Sequence, residues 1–89
     1  MNWRDDYLAI RTVPGAGECG LLRYAFTWGL VTGLRDTGYI GRYCFEHHAD
    51  AWHALVTWNG RDGDPPGPWI KYKGIGGERL GPGALKETV

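Results

Sequence analysis

The chain has 89 residues and carries 10 Lys or Arg against 10 Asp or Glu, so its formal charge is zero. That length fits one domain, and the balance removes the basic excess usual in proteins that grip phosphate backbones. Aromatics make up 13% of the chain, 5 of them Trp, which excludes a disordered polymer. No apolar run reaches the roughly 18 residues of a membrane span.

The opening run Met1-Asn2-Trp3-Arg4-Asp5-Asp6 lacks the basic start and apolar stretch of a secretory signal. The expected compartment is therefore the cytoplasm. There the two cysteines, Cys19 and Cys44, are expected to stay unpaired. A domain this small has little core to give up to a catalytic cavity, which favours a surface that binds over a cleft that reacts.

Residues Tyr7 to Val13 read as a first strand, ended by Pro14-Gly15-Ala16-Gly17. Leu22 to Leu34 reads as a long strand. Tyr24, Phe26, Trp28 and Leu30 lie on one face and Ala25, Thr27, Gly29 and Val31 on the other. Arg35-Asp36-Thr37-Gly38 is a turn, and Tyr39 to Phe45 returns as the second arm of a hairpin.

Ala49 to Trp58 reads as the helix. Ala51, Ala54, Leu55 and Trp58 form one apolar stripe, Asp50 favours the N-terminal dipole, and Asn59-Gly60 supplies a left-handed stop. Arg61 to Pro68 is a Pro- and Gly-rich connection. Trp69 to Lys73 reads as a last strand, with Ile70 and Tyr72 on one face and Trp69, Lys71 and Lys73 on the other. The expected fold is α+β: a small, mostly antiparallel sheet of three or four strands in hairpin, helix, strand order, packed on one helix. Residues 1–74 form the domain and residues 75–89 a flexible Gly-rich tail.

Several constellations invite chemistry and lack the spacing for it. His47, His48, His53 and Cys44 carry zinc-type donors. Yet His48 and His53 diverge by roughly 140° around a helix, and the His-Glu-x-x-His order is missing. No metal ligand or cofactor is assigned. The chain contains no Ser and no nucleophile elbow, and Asp62 and Asp64 flank a Gly in a turn. No catalytic residue is assigned, and the protein is read as a non-enzyme. Gly74-Ile75-Gly76-Gly77-Glu78-Arg79 lacks the helix that a phosphate loop requires.

Trp69, Lys71 and Lys73 combine an aromatic plate with two cations on one strand face. Such a face can seat an acidic protein patch or stack bases and hold phosphates; edge lysines also serve simply to prevent edge-to-edge pairing. Trp52 and Arg42 stand behind them as candidates. Five indoles exceed what so small an interior encloses, so some are expected to remain at the surface.

Three runs are distinctive: Tyr24-Ala25-Phe26-Thr27-Trp28-Gly29-Leu30, Gly38-Tyr39-Ile40-Gly41-Arg42-Tyr43-Cys44, and the stretch from Gly63 through Pro68 to Gly74. Over about residues 3–79 the chain resembles small proteins encoded by phages and prophages of proteobacteria. That group brings no catalytic residues to map. The resemblance implies a soluble phage-type protein that inhibits host machinery, as anti-CRISPR proteins do. The expected partner is therefore a host protein or nucleoprotein complex, blocked sterically. A direct nucleic-acid binder using the same face is the second reading, and self-association into a homodimer a further one.

Overall fold

The computed structural model describes residues 2–61 and 63–85. Six strands make one antiparallel meander in sequence order: β1 (Ala9–Val13), β2 (Gly17–Arg23), β3 (Trp28–Thr32), β4 (Gly41–Phe45), β5 (Lys71–Gly74) and β6 (Gly77–Leu80). The single α-helix among the described residues, α1 (His48–Thr57), connects β4 to β5 and crosses one face of β2, β3 and β4. Short 3-10 turns lie at Trp3–Asp6 and Pro82–Leu85. The α+β class is as the sequence implies, and the sheet is larger than its expected three or four strands.

Both extra strands come from segments rich in glycine. Leu22 to Leu34 is not one strand: the chain turns at Tyr24, whose amide donates to the Thr27 carbonyl. The residues before that turn form β2. Its partners are β1, with Ala9 opposite Leu21, and β3, with Leu21 opposite Leu30. Beyond Gly74 the chain is not a loose tail. It doubles back through Gly76 and Gly77, both at positive φ, and pairs as β6, with Tyr72 opposite Arg79. Residues 86–89 lie outside the described residues.

Residues directly opposite in an antiparallel sheet share a face. The helix-side face therefore carries Cys19 and Leu21 of β2, Leu30 of β3, and Tyr43 and Phe45 of β4. These pack with Val13 and with Ala51, Ala54, Leu55 and Trp58 as one buried cluster. The stripe read from the sequence is thus the buried face of α1.

The helix ends differently from its sequence reading. Trp58 leaves in an extended conformation, with φ −65° and ψ 125°. Arg11, reaching from β1, donates to the carbonyls of Leu55 and Trp58 at 2.9 and 2.6 Å. A cation on the last carbonyls satisfies acceptors the helix leaves open and suits its dipole.

Candidate functional site

Among the described residues no helix lies over the sheet face opposite α1, although loop side chains bury Gly20, Gly29 and Val31 on it. Register sets its residues in two rows that cross the sheet. One row runs Gly20, Val31, Arg42, Lys73, Glu78, and the other Leu22, Gly29, Cys44, Lys71, Leu80. Glycine occupies the β2 position of the first row and the β3 position of the second. A Cβ on Gly29 would fall inside the van der Waals radius of Tyr24 Cε2, and one on Gly20 would lie 2.9 Å from Tyr7 Cδ1. Tyrosine rings from the loops therefore lie down where side chains are missing.

Those rings organise a cation. The Tyr24 and Tyr39 hydroxyls are hydrogen-bonded at 3.0 Å. Burial, then the Tyr39 hydroxyl, pushes the Tyr24 phenol up to about 12, so it stays neutral at physiological pH. The Arg42 guanidinium lies 5.3 Å from the centre of the Tyr24 ring, a cation–π arrangement that holds the charge beside the ring. Arg42 Nε is buried without a hydrogen-bond partner among the described residues.

Lys73 stands directly across from Arg42, on the same face. Like charges in that relationship cost about 0.2–1 kcal/mol. Glu78, on the far side of Lys73, places its carboxylate 3.8 Å from Lys71 Nζ instead. Arg42, Lys71 and Lys73 thus share a small area with one carboxylate, in a chain of zero formal charge.

Two shallow depressions meet at Arg42. One, of about 460 Å3, is lined by Tyr39, Ile40, Arg42, Lys73 and Gly74. The other, of about 390 Å3, is lined by Tyr24, Thr27, Arg42, Cys44, Ile70 and Lys71. The β2–β3 turn that supplies Tyr24 and Thr27 also carries Phe26, which is 92% exposed.

Three of the five residues singled out from the sequence, Arg42, Lys71 and Lys73, are brought together here. Trp69 is not with them. It is 4% exposed and meets Tyr43 edge-on at 4.9 Å, on the helix side of the sheet. Strand alternation predicts the opposite face, but β5 begins only at Lys71, so alternation does not reach Trp69. The segment after β6 closes over it: the Gly81 amide donates to Ile70 and the Gly83 amide to the Trp69 carbonyl.

Trp52 lies in the helix layer, half-buried and edge-on to His48, across the sheet from Arg42. The expectation that some indoles remain at the surface is met only by partial exposure. Trp58 and Trp69 are buried, and Trp3, Trp28 and Trp52 are half-buried. The most exposed large apolar side chain among the described residues is Phe26, which lies in a turn and not in the strand expected from the sequence.

The remaining constellations resolve into packing. His48 lies against Trp28, ring centres 4.5 Å apart, while Cys44 sits on the other side of the sheet and both cysteines are free. Asp64 accepts from the Tyr43 hydroxyl at 2.7 Å and from both terminal nitrogens of Arg79 at 2.7 and 3.3 Å. Arg79 in turn lies over the Tyr72 ring at 4.7 Å. Asp64 thus ties the Pro-rich connection to the sheet, and Arg79 is engaged there and not on the open face.

Compared with protein-family models, with curated proteins and with solved structures, the chain finds no match in any of the three. No helix among the described residues is long and apolar enough to cross a membrane.

Proposed function

We propose that this is a non-enzymatic binding protein that acts by occupying a surface of a larger host complex, with the sheet face opposite α1 as its working surface. The observation that carries the reading is the grouping of Arg42, Lys71 and Lys73 around two tyrosines, with the Glu78 carboxylate beside Lys71. Sheets that bury one face can leave the other to solvent, and a solvated face is ordinarily mixed in charge. Two cations set directly opposite cost stability, and an anionic partner offsets that cost. Desolvated arginine is among the residues that carry most binding energy at interfaces, and neighbouring lysines steer an acidic partner toward it.

The likeness to phage-encoded proteins gives this reading its most concrete form, an inhibitor of a host defence complex of the anti-CRISPR kind, acting in the host cytoplasm. That step rests on the resemblance alone. The test is affinity capture from a host lysate by the wild type and by an Arg42→Ala, Lys73→Gln variant. The reading expects a discrete complex held by the wild type and lost by the variant. A complex retained by that variant but lost on Trp52→Ala would move the working surface to the helix layer and overturn the assignment.

A further inference from the structure

We infer that the strip from Lys73 through Arg42 and Lys71 to Phe26 binds single-stranded nucleic acid, with phosphates on the cations and a base on the phenylalanine. The inference rests on the sheet face opposite α1 being the working surface, and it names the partner's chemistry.

Four features point to this ligand. Lys71 and Lys73 project from the same face of one strand, about 6.6 Å apart by the rise of a strand, a distance comparable to that between successive phosphates of an extended strand. Arg42 stands directly opposite Lys73 on the neighbouring strand and borders both depressions. Of the Tyr24 and Tyr39 hydroxyls, bonded to each other beside Arg42, one keeps its proton free as a neutral donor that a phosphate oxygen accepts from. Phe26 presents a nearly bare ring in the turn that borders the second depression. A positive strip with an adjoining aromatic plate is the arrangement by which single strands are held without base readout.

Duplex DNA fits this face less well. The one helix among the described residues lies on the other side of the sheet, so no helix stands over the strip to enter a major groove. Zero formal charge over the chain also sets the strength. With no distant basic residues in excess, and Lys71 already 3.8 Å from the Glu78 carboxylate, two to three phosphate contacts give a shallow salt dependence, a log–log slope of about −1.4 to −2 for a single strand.

The test is fluorescence anisotropy with a labelled oligothymidine of about ten nucleotides, beside a duplex of equal length and a labelled polyglutamate peptide. The expected result is low-salt binding of the single strand with that slope. Lys73→Gln should reduce the slope by about 0.7, and Phe26→Ala should weaken binding about fivefold or more. Both side chains are exposed, so circular dichroism should show both variants folded. No single-strand binding at low salt, or binding unchanged in both variants, overturns the inference. Lys73-dependent binding of polyglutamate alone overturns it too, while leaving the open face as the working surface. If neither probe binds and lysate capture ignores Arg42 and Lys73, both readings fall.

Discussion

Trp69 meets Tyr43 edge-on with ring centres 4.9 Å apart, and Tyr43 meets Trp58 in the same manner at 6.0 Å. The three rings make the aromatic end of the core, where the segment after α1 comes back to the sheet. Edge-to-face pairs add about 0.5–1.5 kcal/mol beyond the area they bury. Gly81 is required for this closure, because a Cβ there would overlap the Trp69 ring and carbonyl.

Trp69→Ala should therefore act on stability and not on binding. Removing a buried indole costs about 3–5 kcal/mol, which is a large part of the roughly 4–13 kcal/mol that holds a domain of this size. Urea titration followed by circular dichroism should show the midpoint collapse. Lys71→Ala, by contrast, should leave it within about 0.5 kcal/mol. Equal effects from the two would mean that Trp69 is not a core residue.

Asp64 gives the fold an acid-sensitive clasp. The Arg79 guanidinium, together with the Tyr43 hydroxyl, holds its carboxyl below the ordinary 3.8 against the opposing effect of partial burial. A depressed carboxyl contributes stability that is present above its unfolded pKa. That contribution is lost as pH falls through the lower folded value. Asp64→Asn should thus cost of order 1 kcal/mol at pH 7, the low side of charged hydrogen bonds because Asp64 is 37% exposed. The difference from wild type should shrink as pH falls below 3.8, and urea midpoints at pH 7 and in acid measure it. A difference that persists in acid would place the effect elsewhere.

The thiols should be quiet until the protein opens. Cys19 faces the helix and is fully buried, which pushes its thiol up to about 11, while Cys44 lies on the opposite face of the sheet. At pH 8 an aromatic disulfide reagent should react slowly with native protein, Cys44 first, and fast in urea. Because the folded pKa of Cys19 is raised, its contribution is intact below 9.0 and fades as pH climbs toward 11. Rapid native labelling of both thiols would contradict their burial.

The helix and the β3–β4 hairpin were legible in the sequence because each is specified locally. The stripe of Ala51, Ala54, Leu55 and Trp58 has one period, and Arg35 to Gly38 carries turn chemistry. β2 was hidden because Gly17 and Gly20 read as loop, and because Tyr24 to Thr27 continue the apolar alternation through what is a turn. β6 was hidden behind the glycines that form its turn. The candidate surface was half legible. Lys71 and Lys73 are neighbours in the chain, but Arg42 reaches them only through the pairing of β4 with β5, whose register is set across the helix and a long connection. Trp69 misled because parity along a strand holds only where the strand exists.

Gly29 tests whether the tyrosines shape the surface or merely cover it. Tyr24 rests on the bare Cα of Gly29, the Tyr24 ring supports Arg42, and the Tyr24 hydroxyl is tied to Tyr39. Gly29→Ala leaves every cation in place but unseats the ring, because the new methyl occupies its space. Overpacking of this kind costs about 1–3 kcal/mol. Oligothymidine affinity should fall well below wild type, although Arg42, Lys71 and Lys73 all remain. Tyr24→Phe separates the two contributions: it keeps the ring under Arg42 and removes only the hydroxyl, so affinity should drop by less than in Gly29→Ala. If Gly29→Ala binds as wild type does while its melting temperature falls, the tyrosines are packing alone and the cations act without them.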